Sequence, residues 1–165
     1  MHYPFEYDQD QDGRLVYILG SCNGAICLAT SGRPFDIDYR LCIWNPLTRE
    51  YKRILANVDV KDRCLRCGFG YDSNNEDYRF VRIFDDLERT GYFKAQVYNL
   101  KSDSWTIQSI PYLFPFGGTL CPSVLSDGAL HWLGVTTTKE TNSEIIVSFD
   151  ISNERFIDVI GMPNL

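Results

Sequence analysis

Trp44-Asn45-Pro46-Leu47-Thr48-Arg49-Glu50-Tyr51, Tyr98-Asn99-Leu100-Lys101-Ser102-Asp103-Ser104-Trp105 and Phe149-Asp150-Ile151-Ser152-Asn153-Glu154-Arg155-Phe156 share one layout. Each opens on an aromatic, passes at once to Asn or Asp, runs through a polar stretch, and closes on a second aromatic at the same offset. Asn and Asp hydrogen-bond their own backbone and start turns, so each octapeptide predicts a hairpin whose second strand opens on an aromatic. Leu41-Cys42-Ile43, Ala95-Gln96-Val97 and Ile145-Ile146-Val147 are the incoming strands; Arg53-Ile54, Ile107 to Ile110 and Ile157 to Ile160 are the outgoing ones.

A second hairpin precedes each of these. Leu15 to Ser21 turns at Asn23-Gly24 into Ala25 to Ala29, and Ser123-Val124-Leu125 turns at Asp127-Gly128 into Ala129 to Val135. Both dipeptides tolerate the positive φ that two-residue turns require. The middle copy has a looser turn, Ser73 to Asp77, between Gly68-Phe69-Gly70-Tyr71 and Tyr78 to Ile83. Units of four short strands thus recur at about 50 residues, the spacing of kelch-type propeller blades. No stretch has helical periodicity. A β-sandwich with turns alike by chance is the competing arrangement, but both hairpins coincide in three copies. The expected fold is therefore all-β, a partial kelch-like β-propeller of about three four-stranded antiparallel repeats at about 15–55, 64–110 and 121–160, after an acidic leader at 1–14. Three blades do not close a ring, which takes about 4–8.

The 165 residues carry 22 acidic and 16 basic side chains, a net charge of -6. Nucleic-acid backbones and anionic membranes are disfavoured as partners. The amino terminus has neither the basic start nor the apolar run of a secretion signal, and no segment reaches the ~18 apolar residues of a membrane span. A cytoplasmic or nuclear location is expected, where thiols stay reduced. Six cysteines (Cys22, Cys27, Cys42, Cys64, Cys67, Cys121) include one C-x-x-C, Cys64 to Cys67, without a second pair or nearby histidine. Buried structural thiols are favoured over a metal or redox site or disulfides. No metal site and no cofactor is expected.

Catalytic material is sparse, and no catalytic residue is assigned. Asp72, Asp77, Asp85 and Asp86 offer carboxylates for acid–base work, but their turn and loop positions favour solvated turn residues. His131 lies within a strand and His2 is the only other histidine, so a cross-strand or core role is favoured over a triad or metal site. Gly68-Phe69-Gly70 and Gly20 to Gly24 suit strands with close backbone approach rather than a phosphate loop. Trp44, Trp105 and Trp132 could stack on a sugar or base, but the first two are repeat-equivalent hairpin residues, which favours core packing.

Several pieces in fixed order resemble a known family: Gly20-Ser21-Cys22-Asn23-Gly24, Ile43-Trp44-Asn45-Pro46-Leu47-Thr48-Arg49, Gly68 to Asp72, Asp77-Tyr78 with Val81-Arg82, Val97 to Leu100 with Ser104-Trp105, Asp127 to Trp132, and Ser148 to Asp150 with Glu154 and Phe156. The chain resembles the plant F-box proteins with an F-box-associated domain, among them the S-locus F-box proteins of pollen. The resemblance covers about Gly20 to Pro163, and 15–163 is the expected associated domain. It implies a non-enzymatic substrate-recognition module of an SCF-type ubiquitin ligase receptor, binding a protein substrate. It implies contact with a Skp-type adaptor and cullin only through an F-box, which Met1 to Arg14 is too short to hold, so a receptor fragment is expected. A carbohydrate-binding or degenerate enzymatic propeller fragment is the alternative.

Strand alternation places the tight turns at one face and the longer connections at the other. The latter are Thr30 to Tyr39, Ala56 to Arg63, Asp85 to Phe93, Pro111 to Thr119 and Thr136 to Ser143, and loops on a rigid scaffold are where binding usually resides. Candidate partner-binding residues are Tyr112, Phe114 and Phe116 in the Pro/Gly-framed loop, with Asp85, Asp86, Arg89 and Phe35. The three loop aromatics are either a plug or interface anchors.

Overall fold

A computed structural model describes residues 15–31, 40–55, 64–85, 92–110, 121–137 and 142–161. All regular structure among them is strand. β1 (Leu15–Cys22), β2 (Ala25–Ser31), β3 (Arg40–Trp44) and β4 (Tyr51–Ile54) form the first sheet in sequence order. β5 (Cys64–Asp72), β6 (Asp77–Asp85), β7 (Phe93–Asn99) and β8 (Ser104–Ile110) form the middle sheet. β9 (Cys121–Pro122) is a fifth strand on its inner edge, and β10 (Val124–Ser126), β11 (Ala129–Thr137), β12 (Asn142–Asp150) and β13 (Arg155–Gly161) form the third sheet.

The aromatic–Asx hairpins are superimposable in register. Trp44 pairs with Tyr51, Tyr98 with Trp105 and Phe149 with Phe156, always between the third and fourth strands of a sheet. Asn45 Oδ1 accepts from the N–H of Leu47 at 3.0 Å, and Asp150 Oδ1 accepts from that of Ser152 at 3.0 Å, which starts each turn. Five residues past the first aromatic the backbone is left-handed in all three copies, at Arg49 (φ 62°), Asp103 (φ 50°) and Glu154 (φ 49°). Asn23-Gly24 and Asp127-Gly128 have positive φ at both residues, as two-residue hairpins require.

The sheets stack face to face, with β1 beside β5 and β5 beside β9, β10 and β11. Successive strand residues point to opposite faces, so the doubly covered middle sheet reads as a near-continuous apolar run. Phe69, Phe80 and Tyr98 face Cys27, Ala29, Leu41 and Ile43 of the first sheet. Val81, Ile83, Ala95 and Val97 face Leu130, Trp132, Val147 and Phe149 of the third.

Four antiparallel strands per unit is corrected at one place. β9 pairs in parallel with β5, Arg66 with Cys121 and Cys67 with Pro122. The cause is a seam between sheets: the Cys67 carbonyl accepts both the Ser123 N–H and the Trp132 indole N–H, each at 2.9 Å. The seam needs glycine, because a Cβ on Gly68 would lie 2.5 Å from Ser123 Oγ and 2.9 Å from both Leu130 Cδ1 and Trp132 Cζ2. Gly20 likewise faces Phe69 Cβ, 2.9 Å from where its own Cβ would stand.

Gly68→Ala should therefore cost about 1–3 kcal/mol in urea unfolding, the usual range for overpacking. Gly161→Ala, with nothing near its Cβ position, should stay within about 0.5 kcal/mol of wild type. Equal effects at the two sites would refute a seam held by glycine.

Candidate functional site

Alternating strand direction puts all six tight turns at one end of the stack, and polar bonds tie them to one another. Tyr78 Oη donates to the Asn23 carbonyl at 2.7 Å, joining the first sheet to the middle one. Within the middle sheet, the Lys101 N–H donates to Asp77 Oδ1 at 3.0 Å and Lys101 Nζ to the Asn75 carbonyl at 2.7 Å. Gln108 Nε2 donates to the Glu154 carbonyl at 3.1 Å, joining the middle sheet to the third.

Arg79 is the centre of this end, with 8% of its side chain exposed. Its guanidinium pairs with Asp77 Oδ2, with Asp72 Oδ2 at 3.4 Å and with Glu154 Oε1 of the third sheet at 3.1 Å. The Asp72 side chain is fully buried. Ser152 Oγ and Asn75 Nδ2 donate to it at 2.7 and 2.6 Å. Burial alone would raise the Asp72 pKa; the hydrogen bonds from Ser152, Asn75 and the Asn74 and Asn75 N–H groups outweigh it and hold the carboxyl below its ordinary value. Asp72 and Asp77 are thus corrected from solvated turn residues to buried ones, because the Arg79 charge and these donors compensate their burial. Asp72 staples the middle sheet to the third through Ser152, while Asp77 holds Arg79 and Lys101 within the middle sheet.

The strand ends that flank the longer connections lie at the opposite end. Asp85, the last residue of β6, is half-buried there and paired in register with Phe93. Tyr112, Phe114, Phe116, Asp86, Arg89 and Phe35 lie outside the described residues. The sequence reading missed the Arg79 cluster. Its one signal is the Asp72–Asp77–Arg79 spacing, which only the return of Glu154 completes.

His131 is a cross-strand residue, its Nδ1 2.8 Å from Ser148 Oγ and its Nε2 3.3 Å from the Ser126 carbonyl. Trp132 is buried, while Trp105 is half-buried and donates to the Leu55 carbonyl at 3.2 Å. Cys27, Cys42 and Cys67 are buried. Burial raises Cys27 well above its ordinary pKa, Cys22 to about 12 and Cys42 to about 11, the last opposed by Arg53. Among the described residues, no three His, Cys, Asp or Glu side chains are grouped to hold a metal ion.

A family model described as the F-box associated beta propeller domain matches residues 4–164. The chain belongs to this family. Similar proteins include an F-box/kelch-repeat protein of Arabidopsis thaliana, 27% identical over 96% of this chain and 43% of the relative. Two others from the same plant are F-box protein CPR1, 30% identical over 88% of this chain and 39% of the relative, and a putative F-box only protein, 29% identical over 86% and 36%. The F-box-associated chain thus spans about two fifths of the length of these relatives. No solved structure matches it.

Arg79→Met should lower stability by about 3–5 kcal/mol in chemical denaturation, since Asp72 and Asp77 are then buried without their counter-charge. A loss no larger than that of Lys52→Met, which breaks the exposed pair with Asp103, would show that Arg79 is no staple. A carboxyl held below its unfolded pKa stabilises the fold above that pKa and loses the contribution as pH falls toward the folded value. The melting temperature should therefore drop on acidification below about pH 4. Asp72→Asn should flatten that drop. Thiol titration at pH 8 should find Cys22, Cys27 and Cys42 slow to react in native protein and reach all six cysteines after unfolding, because the thiolate is the reacting form.

Proposed function

We propose that this domain is a protein-recognition module, the substrate-receptor part of an SCF-type ubiquitin ligase, and that it has no catalytic activity of its own. The observation that carries the reading is the division between the two ends. The turn end spends Asp72, Asp77, Glu154 and its central guanidinium on bonds within the frame, with Arg79 engaged by all three acids. The opposite end carries the longer connections, which vary in length and composition while the hairpins repeat. Variable loops on a fixed β frame suit selective recognition of proteins. The connections to Skp-type adaptor and cullin run through an F-box joined to this domain. The similarity to F-box proteins supports that role, and the chain's net charge of -6 argues against nucleic acid as the target.

Within the recognition end, Tyr112, Phe114 and Phe116 are the proposed anchors, flanked by Asp85, Asp86, Arg89 and Phe35. The test fuses an F-box ahead of the chain and measures adaptor co-purification, target capture and melting temperature for wild type and for single Ser substitutions at the three aromatics. The expected result is capture reduced at least tenfold with melting changed by less than about 2 °C. A fall in melting of about 4–8 °C or more with each substitution, of order 1 kcal/mol or above, would make the loop a plug and remove it from the interface. Turnover of a glycoside or ester substrate by the purified chain would overturn the non-enzymatic reading.

A further inference from the structure

The outer strand of each sheet is β4, β8 or β13, and among the described residues no further strand pairs with any of the three. An outer edge presents a row of backbone N–H and C=O groups that can pair with another chain; short strands, charges, proline and bulges are the usual protections. β4 has four residues and carries Lys52 and Arg53. β13 opens on exposed Arg155, and its pairing with β12 shifts register between Ile146 and Ser148. β8 has seven residues, no charge and no proline, and pairs with β7 without a register shift. The unguarded edge is thus that of the middle sheet, inside the chain, with described sheets on both sides.

The direction of its backbone groups follows from the hairpin register. In the first hairpin the Asn45 N–H donates to the Glu50 carbonyl at 2.9 Å, and Asn99–Ser104 is the same pair in the middle sheet. Hydrogen-bonded pairs alternate along an antiparallel ladder. Thr106, Gln108 and Ile110 therefore bond β7, while Trp105, Ile107 and Ser109 turn their N–H and C=O groups outward. The two faces beside this edge differ. Toward the first sheet stand half-buried Trp105 and Ile107, 60% exposed, next to Leu55, 88% exposed, whose carbonyl the Trp105 indole bonds. Toward the third sheet Thr106 Oγ1 donates to Glu154 Oε2 at 3.4 Å. Glu154 has 27% of its side chain exposed, and its cluster sets three carboxylates around the one guanidinium of Arg79. One face asks for apolar side chains and the other for a cation.

We infer that β8 is a docking edge, to which an extended segment of a protein partner adds as a further strand, with Val- or Ile-like side chains on the Trp105–Ile107 face and a Lys or Arg on the Glu154 face. The inference rests on the domain's role as a protein-recognition module and gives that role a second site, along the strand that leads into the Pro111 to Thr119 connection. Main-chain bonds to Trp105, Ile107 and Ser109 supply affinity, and the alternating side chains supply selectivity. A second copy of the chain fits this edge poorly. Two β8 strands joined antiparallel bring two Glu154 clusters to the same face, each with an excess of negative charge, and β8 has no cation to meet them.

The test titrates the isotope-labelled 165-residue chain with an end-blocked heptapeptide of alternating Ser and Val, Lys replacing the third residue, to about 1 mM. The expected result is saturable shifts of the Trp105, Ile107 and Ser109 amides and hydrogen exchange there slowed at least tenfold, with the β4 and β13 amides unmoved. Methylating the peptide's backbone nitrogens should abolish the response, and Glu in place of its Lys should weaken binding about threefold. Ile107→Pro removes one outward N–H and no bond to β7, and Ile107→Lys gives β8 an edge charge such as β4 has. Each should weaken binding at least tenfold with wild-type far-UV circular dichroism, and the second serves if the first misfolds. A peptide that leaves these amides unmoved, or moves another edge instead, overturns the inference. So does binding that survives backbone methylation, which makes the contact one of side chains alone. Shifts of the same amides with protein concentration alone overturn it in favour of a second copy. The peptide is read on β8 itself rather than through target capture, so its silence removes the edge alone, while an F-box-fused chain that captures no target removes the recognition role.

Discussion

The closeness with which one sheet's inner strand lies against the next governs this structure. Apolar burial supplies most of the stabilisation but is non-directional; something else has to fix where the sheets meet. At Gly68 the backbone is bare, so Leu130 and Trp132 reach the middle sheet and the Trp132 indole bonds the Cys67 carbonyl. Gly20 does the same for Phe69. The aromatic hairpins then fall at matching heights, and Phe80 and Tyr98 fill one gap while Leu130 and Phe149 fill the next.

Part of the buried polar chemistry holds sheets together. A buried Arg among acids is a poor route to stability compared with apolar packing, yet removing one partner is costly. The Arg79 cluster therefore adds geometry more than energy. It ties β5 and β6 to the third hairpin through Glu154 and Ser152, fixing the angle between two sheets whose apolar faces alone would allow sliding. A frame fixed at one end leaves the other free to vary in loop length without loss of register.

Much of the frame was legible in the chain itself because local signals carried it. Asn-Gly, Asp-Gly and the aromatic–Asx octapeptides each encode a turn within a few residues, and their recurrence reveals the repeat. The parallel pairing of β9 was illegible: two residues have no period, and the pairing depends on Cys67, more than fifty residues earlier. The left-handed residues at Arg49, Asp103 and Glu154 were hidden by their differing side chains. The burial of Asp72 and Asp77 escaped notice because its compensation comes partly from Ser152 and Glu154, far along the chain. The long connections are the least legible part, since a loop's composition says that it is a loop and little about what it touches.

The seam at Cys67 also bears on how the molecule holds or loses its structure as a whole. A stack in which each layer touches only its neighbours behaves like a short one-dimensional lattice, with cooperativity passed through the interfaces. Among the described sheets the middle one alone has two neighbours, and one backbone oxygen at its inner edge takes bonds from Ser123, just ahead of the third sheet, and from Trp132 within it. Loosening that strand uncouples both interfaces together, whereas fraying β4 or β13 at an outer edge leaves the rest intact. Local motion is thereby pushed to the periphery, and the order in which strands open is set by depth in the stack rather than by position in the chain.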